Sequence, residues 1–208
     1  MNLIFCPGAG GAAEFWQPLG ALLPVEWKKT YLFWPGLGNQ PHEPAAHGFD
    51  DLVAFAEKAI AGPTVLIAQS MGGIVAVRLA LKRPDEIAGL VLVVTSGGVD
   101  VSALGGADWR AAYLANFPDS KTWITEERPD HTAEIPDLGC PTLLIYGDND
   151  PISPVTVGKR LSDLIPQSEL CVIAGGTHDL GKERAHDIAP LVIGHVHRCF
   201  WERSSRDV

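Results

Sequence analysis

Between Thr64 and Pro84 the chain reads TVLIAQSMGGIVAVRLALKRP, and this stretch restricts the fold more than any other. The apolar run from Thr64 to Ala68 stops at Gln69-Ser70-Met71. Two glycines follow, and apolar residues then recur at helical spacing through Leu81. Lys82 and Arg83 suit the negative end of a helix dipole, and Pro84 ends the helix. The pattern predicts a strand, a sharp turn and a helix, with Ser70 on the turn. A hydroxyl placed there stands clear of the sheet edge, beside the N–H groups that open the helix. That position serves the negative charge that develops in acyl transfer. A small-x-Ser-x-Gly pattern, here with Ala68 in the first small position, also fits an ordinary N-capping serine, so the stretch alone leaves both readings open.

The same alternation runs through the rest of the chain. Asn2 to Cys6 is a short apolar run broken by Pro7-Gly8-Ala9-Gly10-Gly11, and Phe15, Trp16, Leu19, Leu22 and Leu23 follow at helical spacing. The glycines give neither a P-loop nor a dinucleotide fingerprint; on their own they mark a turn, or backbone N–H groups aimed at an anion. Thr30 to Trp34 is the second strand candidate, and Asp50 and Asp51 open a helix that reaches Ile60. Further strands are expected over Gly89–Thr95, Pro141–Tyr146 and Glu169–Ala174, with helices over Val155–Ile165 and His186–Trp201 and a frayed polar tail from Glu202 to Val208. Residues 99–139 are looser. Only Trp109–Phe117 looks helical there, and the aromatics Trp109, Tyr113, Phe117 and Trp123 suit either a lid over a site or a patch packed on the core.

Six apolar strand candidates alternating with helices predict an α/β chain: one domain over 1–208, built on a six-stranded, mostly parallel sheet covered on both faces. In such sheets sites lie beyond the carboxyl ends of the strands. Ser70, the pair Asp148 and Asp150, and His178 each follow a different strand. Serine becomes a good nucleophile when a base takes its proton and a carboxylate orients that base. The chain supplies those types in the order serine, acid, histidine.

With these pieces in place the chain resembles the α/β-hydrolase superfamily. The matching segments are FCPGAGG (5–11), WPGLG (34–38), AQSMGG (68–73), LLIYGDNDPISP (143–154) and GGTHDL (175–180). The resemblance implies Ser70 as nucleophile, His178 as general base and Asp150 as acid, with Asp148 as the alternative. It implies the backbone N–H groups of Ala9 and Met71 as oxyanion donors. It departs from the family in Ala68 for a glycine and in Pro7 for a histidine. The sequence also starts at what would be the family's third strand. The lid, 99–139, is short, and Trp109 and Tyr113 are the expected substrate wall. The implied activity is hydrolysis of a small-molecule carboxylic ester or thioester through an acyl-enzyme. The fold also hosts C–C bond hydrolases, acyltransferases, haloperoxidases and non-catalytic ligand binders.

Charge and composition narrow the partners. A net charge of −9 argues against nucleic acid and against an anionic membrane. No apolar stretch is long enough to span a bilayer, and the first residues enter a strand without a basic leader. Cys6, Cys140, Cys171 and Cys199 lack metal-type spacing and read as reduced thiols in a cytoplasmic protein, with Cys6 and Cys171 buried. His195 and His197, two apart, face opposite sides of a helix. His42, His47, His131 and His186 lie in polar stretches and are expected to be solvated, with His42 a possible pocket residue. No metal and no cofactor are expected, and the oligomeric state is not legible.

Overall fold

A computed structural model describes residues 1–206. Six strands form one sheet: β1 (Asn2–Cys6), β2 (Lys28–Tyr31), β3 (Thr64–Gln69), β4 (Ile87–Val93), β5 (Thr142–Gly147) and β6 (Ser168–Ile173). Their order is β2-β1-β3-β4-β5-β6, and every pairing is parallel. The chain turns outward from β1 to β2, then crosses back to place β3 on the other side of β1. The strand order therefore reverses between β1 and β3, which opens a crevice beyond their carboxyl ends.

Alternation along the strands divides the core into two layers. Leu3, Phe5, Val65, Ile67, Val91, Val93, Leu143 and Ile145 face one side. There they meet α1 (Gln17–Leu22) and the long α8 (Ala185–Arg206). Ile4, Cys6, Leu66, Ala68, Leu90, Leu92, Leu144 and Tyr146 face the other side. They pack on α2 (Phe49–Glu57), α3 (Met71–Lys82) and α6 (Val155–Leu164). Burial on both faces is why β3, β4 and β5 read as unbroken apolar runs.

The edges differ from expectation. The second strand is Lys28–Tyr31 rather than Thr30–Trp34. Its register is set by Asn2 opposite Lys28, and Trp34 leaves the ladder because its N–H donates to the Gly11 carbonyl at 3.0 Å. An edge strand tolerates lysines, and Lys29 Nζ reaches back to the Leu23 and Pro24 carbonyls at 3.1 and 2.8 Å. On the opposite edge, β6 is only half covered, so Cys171 is half-buried rather than buried, whereas Cys140 and Cys199 join Cys6 inside.

The last helix runs on through Arg206 instead of fraying after Trp201, with Arg203 donating to the Asp85 carbonyl; Asp207 and Val208 lie outside the described residues. A short turn of helix, α7 (Leu180–Glu183), precedes it. Segment 99–139 holds two helices, α4 (Arg110–Asn116) and α5 (Trp123–Glu126), where one was expected. Tyr113, Ile124 and Ile135 from this segment are buried in the main core layer. His131 is half-buried rather than solvated: its N–H donates to the Gly98 carbonyl at 2.9 Å, and its ring lies over Gly98. Burial, with the Arg78 cation nearby, lowers its pKa.

His195 is 2% exposed, with Nε2 3.3 Å from Cys199 Sγ and with Nδ1 unpartnered. Burial, aided by the Arg198 cation and opposed by the Leu90 and Pro141 backbone, pulls it down to about 4 from 6.5. In the unfolded chain this imidazole takes a proton as pH falls below 6.5, while in the folded protein it stays neutral until about 4. Its contribution is therefore complete above the unfolded value and is lost as pH falls from 6.5 toward 4, in all about 3 kcal/mol. Urea midpoints measured across that window should fall more steeply for the native protein than for His195→Gln. Parallel profiles would remove His195 as the cause.

Candidate active site

Ser70 occupies the turn between β3 and α3 with φ 52° and ψ −126°. A serine rarely adopts that conformation, and holding it costs about 1–3 kcal/mol. Its N–H donates to the Val93 carbonyl at 3.1 Å, and its carbonyl accepts the Gly73 N–H at 3.0 Å and the Thr95 hydroxyl at 2.5 Å. The two glycines after the serine answer a close approach. A Cβ on Gly72 would lie 2.3 Å from the Pro7 carbonyl oxygen, and one on Gly73 would lie 2.2 Å from Thr95 Oγ1. The first turn of α3 is thereby pressed between the ends of β1 and β4. Ala68, which stands where the family has glycine, is fully buried opposite Cys6 and Leu92, where a single methyl is accommodated.

Three strand ends converge on the serine. His178 follows β6 in a loop turned by Gly175, and Asp150 follows β5. His178 Nε2 lies 2.9 Å from Ser70 Oγ, and Nδ1 lies 2.8 Å from Asp150 Oδ2. The Asp150 carboxyl is buried, and its Oδ1 accepts the Ile152 and Ser153 N–H groups at 2.8 and 3.1 Å. A carboxylate held this way accepts a proton-bearing Nδ1, which leaves Nε2 as the acceptor for the serine hydroxyl. The alternative acid, Asp148, is exposed, and its Oδ1 takes the Gly175 N–H at 2.6 Å. It pins the histidine loop to the acid loop and does not touch the ring.

The two expected anion donors are Ala9, which lines a cleft with Ser70, and Met71, the residue after the serine. Met71 N–H opens α3 and so has no helical carbonyl to meet. Ala9 N–H is likewise without a backbone partner among the described residues. Ala9 sits in a turn closed by Gly11 N–H on the Gly8 carbonyl at 3.0 Å. The loop is anchored from beneath, where Trp34 Nε1 donates to the Pro7 carbonyl at 2.6 Å.

Two clefts meet at the serine. One, of about 530 Å³, is lined by Ala9, Phe15, Trp109, Tyr113, Phe117 and His178. The other, of about 580 Å³, lies on the Met71 side and is rimmed by charged groups, among them Asp100, Arg110, Glu127 and Arg128. Ser70, Asp108, Trp109 and Ile152 line both. Tyr113 borders the first cleft but is 7% exposed, with its hydroxyl turned away into hydrogen bonds. His42 lies beside Gly36, outside both clefts.

Two side chains at the site went unremarked in the sequence. Thr95 holds the Ser70 carbonyl, and buried Gln69 donates from Nε2 to the His178 carbonyl at 3.0 Å. A polar residue at the carboxyl end of an apolar strand was the available signal for each. Among the described residues no three His, Cys, Asp or Glu side chains are grouped to hold a metal ion, and no helix is long and apolar enough to cross a membrane.

Residues 3–133 match the model of the Alpha/beta hydrolase family. The pimeloyl-[acyl-carrier protein] methyl ester esterase of Neisseria meningitidis serogroup A is 25% identical, over 96% of this chain and 78% of that one. Among solved structures, a thermophilic esterase from Thermogutta terrifontis aligns with TM-score 0.78 at 23% identity, covering 96% of this chain and 90% of its own. A meta-cleavage product hydrolase from Pseudomonas fluorescens IP01 aligns with TM-score 0.78 at 17% identity, over 95% and 91%. At such identities the two structures speak for the fold alone. With the family model spanning more than half of the sequence and a parallel sheet bringing serine, histidine and aspartate together, the chain belongs to the α/β-hydrolase family.

Proposed function

We propose that this protein is a serine hydrolase that cleaves a small-molecule carboxylic ester or thioester, with Ser70 as nucleophile, His178 as base and Asp150 as the acid that orients it. The unbroken hydrogen-bond chain from Asp150 through His178 to Ser70 Oγ carries this reading. Ser70 Oγ attacks the carbonyl carbon as His178 Nε2 takes its proton. The oxyanion draws on the N–H groups of Ala9 and Met71, a reading supported by the lack of a backbone partner for either. The imidazolium, stabilised by Asp150, then protonates the departing alcohol or thiol. Water repeats the sequence on the acyl-enzyme and frees the acid.

The clefts support a substrate with two unlike arms. The aromatic cleft suits an apolar arm, and the charged rim of the other suits a hydrated one. A methyl ester esterase among the relatives supports the ester class. The whole of 1–208 reads as one domain whose segment 99–139 forms the lid, with Trp109 as a wall of both clefts. Four free cysteines are consistent with a reducing cytoplasmic setting.

Ser70→Ala should fold normally and lose at least about 10³-fold in kcat, and a fluorophosphonate probe should label the native serine but not the variant. Retention of more than about a tenth of kcat would rule out the serine as nucleophile. Asp150→Asn should cost about 10³-fold, because the amide cannot hold the same tautomer, while Asp148→Asn should cost no more than about tenfold. The opposite ranking would move the acid to Asp148. Trp109→Ala removes an aromatic wall that borders both clefts and should change kcat/KM for long acyl esters more than for acetyl esters. Equal losses across p-nitrophenyl esters of graded length would make the indole a packing residue only.

A further inference from the structure

Tyr113 reaches from α4 in the lid to the glycine loop. Its hydroxyl lies 2.9 Å from the Ala9 carbonyl oxygen, 2.9 Å from the Gly38 nitrogen and 2.6 Å from Ser120 Oγ. The proton positions follow from counting. The Gly38 N–H can only donate, and it is shared between the phenol and Ser120 Oγ at 3.2 Å. The remaining acceptor for Ser120 is the Gly36 carbonyl at 3.4 Å, too long to compete with a 2.6 Å contact. Ser120 therefore donates to the phenol, and the phenol donates to the Ala9 carbonyl. Burial raises the pKa of Tyr113, which keeps the phenol protonated as a donor.

The Ala9 carbonyl belongs to the peptide next to the one that carries the Ala9 N–H. In a trans peptide the C=O and N–H point in opposite directions. The Gly8 carbonyl is held inside the turn by Gly11 N–H, so the Ala9 N–H on the same peptide plane points out of the turn. Tyr113 fixes the following plane. The two planes pivot on the Ala9 Cα, and with both pinned the direction of the Ala9 N–H is fixed.

We infer that Tyr113 is a positioning residue that couples the order of the lid to the oxyanion hole by latching the Ala9 carbonyl, rather than a residue that binds substrate. The inference rests on the proposed hydrolase reading, in which Ala9 N–H meets the oxyanion. Losing a direct oxyanion donor costs about 10²–10³-fold in kcat, so loosening one from a distance should cost about tenfold.

Tyr113→Phe keeps the ring and removes the latch. Steady-state kinetics on p-nitrophenyl acetate and p-nitrophenyl octanoate, with inhibition by phenylboronic acid as a tetrahedral mimic, separates the possibilities. For the latch, kcat falls about tenfold with both esters, KM stays within about twofold, and the boronate Ki rises by the same factor as kcat falls. Unchanged kcat overturns the inference, as does a loss confined to the octanoate or expressed in KM. If Tyr113→Phe fails to fold, Ser120→Ala carries the test. That residue lies outside both clefts, and without its hydroxyl the phenol keeps the Gly38 N–H but loses the shorter of the two contacts that orient it, so kcat should fall about threefold at constant KM; an unchanged kcat overturns the inference. Failure of the hydrolase reading itself would look different, because the unmodified protein would neither turn over these esters nor take up fluorophosphonate at Ser70.

Discussion

The left-handed backbone of Ser70 is the constraint around which the rest of the molecule is arranged. It is unfavourable by itself, and it persists because the neighbouring strands over-determine it. Val93 holds its N–H and Thr95 its carbonyl, and the first turn of α3 fits only because two glycines let it press against β1 and Thr95. Val94, between those two β4 contacts, is itself at φ 42°, an outlier for a β-branched residue. Its N–H is secured by the Ile145 carbonyl at 2.9 Å, and the Tyr146 hydroxyl donates to the Thr95 carbonyl. The strain of one serine is thus spread over β3, β4 and β5. The same β5 leads directly into the loop that carries Asp150, so the elements that hold the elbow also aim the carboxylate.

What the sequence made legible follows from where each residue's environment is decided. Central strands buried on both faces must be continuously apolar, and so β1, β3, β4 and β5 were plain. The edges were not. Lys28 and Lys29 do not look like a strand, and only their register with Asn2 and Leu3 makes them one. The helical turn from Glu202 to Arg206 looks like a polar tail, because what holds it is a contact with Asp85, more than a hundred positions away. His131 sits in a polar stretch yet is covered by tertiary packing over Gly98.

Similar reasoning separates the site residues. Ser70, Asp150 and His178 were legible because each follows an apolar run at the functional edge and carries a reactive group. Choosing between Asp148 and Asp150 needed geometry. They stand one and three positions beyond Gly147, the last residue of the strand, and only the backbone turn that buries Asp150 under Ile152 and Ser153 N–H groups points one at the ring. Thr95 and Gln69 contribute through a carbonyl of another residue, which composition and spacing do not encode. Tyr113 was legible as an aromatic of the lid, but the direction of its hydroxyl, and hence its partner, was not.

The lid itself is built in a way that limits how it can move. Tyr113, Ile124 and Ile135 are buried in the layer that also contains Ile4, Leu66 and Leu92 from the sheet. Swinging the whole segment away would expose these three and the equally buried Val99 and Leu138, at about 1.5–3 kcal/mol for each aliphatic side chain, and it would also break the contacts of Tyr113 with Ala9 and Gly38. Such an opening would cost the glycine loop one of its hydrogen bonds as well. Trp109 is differently placed. It is half-buried, it precedes α4, and it packs against the core with an edge contact to Tyr113 and the Arg110 guanidinium above its face. It borders both clefts, as do Asp108 and Ile152. The lid therefore meets the serine in two ways: its buried side chains fix it to the sheet, and the half-buried indole borders both clefts that reach Ser70.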